Sequence, residues 1–454
     1  MCIGDLHTEK EIFMSSTYVV IVLCIVVALL ILMVGKLKFH AILALLIATI
    51  TLGILVGTPL EKIPSTLNSG FGSTCTSVAL VIFLGSLLGL ILSETGAIVK
   101  LTTSLVDFCG KKRVLWAIGT SACILGIPVF PDTVSLLTIP LCTNLAQQTG
   151  ISMMAFAAVI QVSIVTSSLV PPTPGPVAGA ATLGLSLGEA IPWGILVSIP
   201  GLIATVLYAS TLKNEHVELN ANFLNQEDTK DKITMNLIRA ILPIVVPVLL
   251  IVGQTVTGVL LPGTIFASVM NFIGAPLSAL IIGCFLAVFL QVKEWWKRED
   301  VRNDWISKAV IDCAGPVFIT ALGGSLAAFI KSAGVAETLA NLVVSAHIPG
   351  IFVPMLIGIL IRIVTGSNTL AVTTSAALCQ PMLETLGVST LAAYLAMCSG
   401  GIAFSHANSS GFWLTCSLSN LDFKQGLRSV GGSTLIGGLA CCAMTLVLYF
   451  TGII

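Results

Sequence analysis

The sequence predicts an all-α polytopic membrane protein, with about ten full spans and two re-entrant hairpins arranged as a 5+5 inverted repeat. Three observations lead there. Of 454 residues, 56% are hydrophobic and only 9% charged, with a mean hydropathy of +1.04; a soluble domain carries about 25% charge. Basic residues are biased along the chain as a bilayer would bias them. The two halves also resemble each other. Composition alone excludes a soluble globule, a disordered chain and a disulfide scaffold. The 21 basic residues are balanced by 21 acidic ones, which leaves no basic surplus for nucleic acid.

A span needs about 20 apolar residues. The full-span candidates are 17–34, 41–57, 76–93, 153–180, 190–212, 239–261, 276–292, 309–330, 389–420 and 430–452. The first is long for a signal-peptide core, and its N-terminal flank carries Asp5, Glu9 and Glu11 where a signal would be basic, so it reads as a retained span. The stretches 114–147 and 350–385 are long enough to enter and leave as helical hairpins. Each has a polar, helix-breaking middle: Gly126, Pro128, Pro131, Asp132 and Thr133 in one, Thr365, Gly366, Ser367, Asn368 and Thr369 in the other. Non-helical backbone at membrane depth is tolerated only where protein or a wet cavity surrounds it. The chain then divides into a tail (1–16), a first half (17–212), a polar linker (213–238) and a second half (239–454).

With the N-terminus outside and ten alternating spans, the C-terminus is also outside. The cytoplasmic loops then hold Lys36, Lys38, Lys100, Lys111, Lys112, Arg113, Lys213, Lys230, Lys232, Arg239, Lys293, Lys297, Arg298, Arg302, Lys308, Lys424 and Arg428, 17 of the 21 basic residues. That is the positive-inside bias. Trp295, Trp296 and Trp305 fall at span ends, where interfacial anchors belong. The 13 cysteines form no CxxC pair and the five histidines are scattered, so neither a metal site nor a disulfide framework is expected.

The segment 85–101 echoes 324–339, and 149–160 echoes 386–397 at an offset of 237 residues. With one residue of slip, the same offset sets Ser167–Gly175 against Ser405–Trp413. Paired spans run in opposite directions in the charge-based layout. An upside-down repeat is the build of a secondary transporter. The pair Gly85 and Gly89 has the spacing of close helix packing.

Each half thus carries two polar interruptions. Prolines 171, 172, 174 and 176 cannot continue a regular helix. Broken helices expose N-terminal N–H groups suited to an anion such as a carboxylate, and hydroxyls suited to a cation or to sugar-like hydroxyls. The candidate binding residues are Asp132, Thr133, Ser168, Thr173, Gly366, Ser367, Asn368, Thr369, His406, Asn408, Ser409 and Ser410. Asp132, Asn368 and His406 are the candidates for cation or proton coupling. Arg362 is the candidate partner of a substrate carboxylate or of Asp132. Charges at membrane depth are expensive and mark function by default, against the bland readings of a wet loop for Asp132, snorkelling for Arg362 and a hydrogen-bonded strut for His406. No HExxH or nucleophile–base set points to an enzyme, and no polar loop is long enough for a receptor's output domain. A passive anion channel is the reading left from another class.

The Pro-Pro-Thr-Pro-Gly-Pro run at 171–176, the Arg362–Thr369 segment and the Ser405–Trp413 segment resemble the gluconate permease (GntP-type) family of the ion-transporter superfamily. The resemblance extends from about residue 17 to the end. It implies an elevator carrier: a scaffold domain that dimerises and a transport domain bearing both hairpins. Ser367-Asn368-Thr369 is similar to the motif with which dicarboxylate carriers of the superfamily hold sodium and carboxylate. The chain departs from the family pattern at four positions. The hairpin acid is Asp132 where glutamate is common, and Ser167, Thr173 and Ser409 stand where ionisable residues are usual. The expectation is an inner-membrane importer of a small hydroxylated monocarboxylate such as gluconate, acting as a homodimer without a cofactor. D-serine and other hydroxy acids are the alternatives. Importing a lone anion against the membrane potential costs about 2.3 kcal/mol per 100 mV, so accumulation requires a coupled cation, a proton by resemblance or sodium as the alternative.

Overall fold

The computed structural model describes residues 16–223, 235–332, 349–406 and 409–454, and among them the secondary structure is helical with no strand. Among the described residues, six helices are long and apolar enough to cross a membrane: Leu60–Glu94, Met153–Leu183, Leu187–Thr211, Leu237–Leu260, Asp300–Ser332 and Phe423–Phe450. A seventh arises if Ile265–Ile273 and Pro276–Gln291, bent by 65° at their junction, count as one crossing. The sequence reading of ten full spans exceeds that number because several apolar runs make shorter helices. Ala41–Leu55 has 15 residues, about 22 Å at 1.5 Å per residue, against a hydrocarbon core of about 30 Å. Thr390–Gly400 is cut short by the interruption that follows it.

The Ile63–Glu94 helix is 32 residues long and starts well before the expected 76–93 run. Its first half (Ser65, Thr66, Asn68, Ser69, Ser73, Thr74) is too polar to register as a span. One side of that half packs along Trp305–Ser332, where Ser325 Oγ donates to the Leu67 carbonyl at 2.8 Å, while Ser65, Asn68, Ser69 and Ser73 are exposed. The two backbones meet at Gly70 and Gly324. A Cβ on Gly70 would lie 2.6 Å from the Gly324 carbonyl oxygen, and one on Gly324 would lie 1.9 Å from Thr74 Oγ1. Small residues permit this approach. Gly324→Leu is therefore expected to destabilise the fold by roughly 3 kcal/mol, within the range of overpacking. Thermal unfolding in detergent would show it as an early loss of the monodisperse peak.

Two helices escaped the sequence reading because both are shorter than a span. Ala97–Cys109 buries Ile98, Leu101, Thr102 and Val106 along one side, at the spacing of an amphipathic helix. Ile265–Ile273 exposes Ile265 and Phe272 almost fully. Trp305 is also placed differently from the expectation. It is buried, and the Arg298 guanidinium lies 5.5 Å from its ring centroid, so it is a packing residue, whereas Trp296 is exposed.

The two stretches expected to form hairpins each contain two successive helices, Val114–Leu125 then Pro131–Thr149, and Phe352–Thr365 then Asn368–Cys379, of which the second two pack on each other. Both interrupted stretches are broken as well, Val162–Leu169 from Pro174–Leu183 and Thr390–Gly400 from Ser410–Leu418. Landmarks recur at the 237-residue offset. Gly150 and Gly387 both take left-handed backbone. Ser152 and Ser389 both cap a helix N-terminus, accepting from the Met154 and Ala392 amides.

Candidate functional site

An interrupted helix leaves carbonyls that nothing in a bilayer can satisfy. Around the first interruption, side chains satisfy them. Thr173 Oγ1 donates to the Ser167 and Val170 carbonyls at 2.6 and 2.9 Å. The Leu169 carbonyl accepts from the hydroxyl of Tyr394 at 2.8 Å. Tyr394 is fully buried and comes from the other half of the chain. Tyr394→Phe leaves that carbonyl unpaired, and we expect a loss of about 1–3 kcal/mol, visible as a lower unfolding temperature in detergent.

In the second hairpin, Gly366 takes φ +68° and ends the Phe352–Thr365 helix, its N–H donating to the Arg362 carbonyl. The Ser367 N–H donates to Thr365 Oγ1, and Ser367 Oγ caps the next helix by accepting from the Leu370 amide. Gly85 and Gly89 bring the Ile63–Glu94 helix onto both interruptions of the first half. Their Cβ positions lie 3.1 Å from the Pro172 carbonyl oxygen and 2.8 Å from that of Pro128.

The four interruptions converge on one cavity of about 780 Å³. Each contributes the start of a helix: Pro131 and Asp132, Thr173 to Gly175, Ser367 to Thr369, and Ser409 to Gly411. The first-turn N–H groups of a helix have no intrahelical carbonyl and carry the positive end of its dipole. In Pro174–Leu183 the prolines at 174 and 176 remove two of these donors, so Asn368–Cys379 and Ser410–Leu418 supply the better ones. Hydroxyls of Ser167, Thr173, Thr365, Ser367, Ser409 and Ser410 belong to residues of the same wall.

Four ionisable residues line the cavity: Lys38, His40, Asp132 and Arg362. Arg362 is 3% exposed, and its Nη1 donates to the Gly366 carbonyl. Its Nε is buried with no hydrogen-bond partner, and so is the Oδ1 of Asn368. Orphaned buried polar atoms in a native site call for a ligand, ion or water. The Asp132 carboxylate lies against the start of Ser410–Leu418, where a Cβ on Gly411 would be 2.7 Å from Oδ1. Arg362 is the opposite charge whose field reaches Asp132. The cavity therefore has a cationic pole at Arg362 and the Asn368 helix start, an acidic group at Asp132, and hydroxyls between them.

Of the residues singled out in the sequence, Asp132, Thr173, Gly366, Ser367, Asn368, Thr369, Ser409, Ser410 and Arg362 come together in this wall. Thr133, one residue beyond Asp132, does not line it. Ser168 stands behind it, its Oγ accepting from the Asn368 side-chain amide. His406 also lies outside the lining: its Nε2 bonds the Ile363 carbonyl at 2.7 Å, and its ring stacks near Phe404. It ties the last interruption to the second hairpin. Asn408 lies outside the described residues. Sequence reasoning missed Lys38 and His40, which the loop before Ala41–Leu55 brings to the cavity, and Tyr394, whose hydroxyl stabilises the first interruption. Ser167, Thr173 and Ser409 all line the cavity.

Apolar crossing helices interrupted around a polar, two-signed cavity define a membrane permease. The chain belongs to the GntP permease family, whose description "GntP family permease" matches residues 18–451. It is 28% identical over 411 residues to a gluconate permease of Pseudomonas aeruginosa, covering 88% of this chain and 90% of that one. To a gluconate permease of Zymomonas mobilis it is 30% identical over 441 residues, covering 94% and 97%. Among solved structures, the YdaH transporter of Alcanivorax borkumensis superposes with a TM-score of 0.65 at 17% identity, covering 90% of this chain and 97% of that one, a likeness of fold. The family is one of permeases, so the chain is a multi-pass membrane transport protein of gluconate-permease kinship and not an enzyme.

Proposed function

We propose that the protein is a secondary importer of gluconate or a similar hydroxylated monocarboxylate, driven by proton symport across the inner membrane. The observation that carries this reading is the cavity itself: a buried guanidinium and a donor-bearing helix start at one pole, hydroxyl side chains along the wall, and one carboxylate lying against a second helix start. The substrate carboxylate binds at Arg362 and the Asn368 and Thr369 amides. The sugar-acid hydroxyls are met by Ser167, Thr173, Ser409 and Ser410. Asp132, the one carboxylate among the lining residues, carries the proton. Sodium is the second reading, favoured by the unpartnered Asn368 Oδ1 within Ser367-Asn368-Thr369. D-serine and other small hydroxy acids offer the same carboxylate and hydroxyl chemistry.

The site moves as part of a transport domain bearing both hairpins, past a scaffold that dimerises. The two halves are inverted repeats, and both termini lie outside. In that orientation the loop holding Lys38 is cytoplasmic, so the cavity opens inward. Substrate and proton are coupled through a shared preference for one mobile state. Counterflow tests the carrier reading: liposomes preloaded with unlabelled gluconate should transiently concentrate external label, and uptake should saturate. Flux linear in concentration with no counterflow would instead mean a channel.

A further inference from the structure

A second cavity, of about 270 Å³, lies between the Ile63–Glu94 and Pro276–Gln291 helices and the start of Asp300–Ser332. It shares no residue with the polar site. Its walls are mostly apolar, among them Leu84, Ile281 and Phe285, and Trp295, Trp305 and Arg302 add side chains with N–H donors. The Trp295 indole N–H is buried and has no hydrogen-bond partner. Arg302 is exposed at the rim. Three of the other basic residues in the segment are held by an acid: Lys297 by Glu294, Arg298 by Asp300 and Lys308 by Glu94. Among the described residues, Arg302 makes only a 3.4 Å bond to the Arg298 carbonyl.

An apolar cavity next to an unpaired guanidinium and an idle indole donor, at the end of membrane helices, has the polarity of an amphiphile. We propose that it binds an anionic phospholipid. One acyl chain lies against Leu84, Ile281 and Phe285. The headgroup phosphate is held by the forked donors of Arg302, which suit phosphate geometry, and by the Trp295 indole N–H. Lysine and arginine residues at a membrane surface attract anionic lipid. Of the residues lining this cavity, Arg302 is the basic one, and no acid holds its charge.

The test is tryptophan quenching of the full-length protein in mixed micelles by phospholipids with brominated acyl chains. Trp295 and Trp305 line the cavity, so a bound brominated chain quenches them on contact. Brominated phosphatidylglycerol is expected to quench at about one fifth of the mole fraction needed by brominated phosphatidylcholine, the preference one arginine supplies. Trp295→Phe should remove part of the saturable quenching. Arg302→Gln should bring the two lipids level, and Arg302→Lys should keep most of the preference, with size-exclusion profiles unchanged. Equal quenching by both lipids in the wild type, or a preference that survives Arg302→Gln, would overturn the proposal. Quenching by a brominated fatty acid as strong as by phosphatidylglycerol would also overturn it, assigning the cavity to free amphiphiles.

Discussion

Arg362→Gln is expected to reduce gluconate uptake by about 30-fold or more while the protein remains folded. The guanidinium is 3% exposed in the last turn of a hairpin helix, with one nitrogen engaged by the Gly366 carbonyl and Nε unpartnered. Removing a buried charge that pairs with a ligand costs about 2–5 kcal/mol, and 1.4 kcal/mol is a factor of ten. Glutamine keeps some hydrogen-bonding capacity but no charge, so the substrate anion would enter a site that has lost its buried cation and keeps only Lys38 of the entrance loop and the helix dipoles. Arg362→Lys should not restore uptake. A single ammonium cannot both hold the Gly366 carbonyl and present a planar fork to a carboxylate. Initial rates over a range of gluconate concentrations would check this, the loss appearing first as a raised KM. Wild-type KM in Arg362→Gln would remove Arg362 from the binding site and leave it a structural residue of the hairpin.

Asp132→Asn is expected to abolish proton-driven accumulation and to preserve exchange. The substitution is isosteric, so the contact with the start of Ser410–Leu418 is kept while the proton-binding charge is lost. A carrier that cannot release its proton can still cycle with substrate bound. Counterflow should therefore persist at a substantial fraction of wild type, while uptake under an imposed proton gradient falls to simple equilibration. Undiminished accumulation by Asp132→Asn would assign the proton to another group, and His406 and His40 would be the next variants to make.

The interruptions were legible because proline, glycine and serine are conspicuous at membrane depth. Pro171 to Pro176 and Gly366 to Asn368 announced broken helices, and the structure breaks there. Once a break is located, the residues that start the next helix are known, and those starts line the cavity. What depends on rotation about a helix axis was not legible. Asp132 faces the cavity and its neighbour Thr133 does not. Ser168 and Thr173 look alike in sequence, yet the first supports Asn368 from behind and the second lines the wall. Long-range partners were hidden as well: Tyr394 reaches the Leu169 carbonyl across 225 residues of sequence. The polar start of the Ile63–Glu94 helix carries too many hydroxyl and amide side chains to read as an apolar run, although one side of it packs on Trp305–Ser332. Lys38 and His40 reached the site from a loop with no motif of its own.

The account rests on a saturable, cation-driven carrier for a hydroxylated monocarboxylate, and one measurement bears on it most directly. Labelled gluconate uptake would be followed in proteoliposomes holding the full-length protein, first with an imposed proton gradient and then with a sodium gradient. The account predicts saturable accumulation above equilibration under the proton gradient, collapsed by a protonophore and absent under sodium alone. No accumulation under either gradient, with the protein shown to be folded, would contradict it.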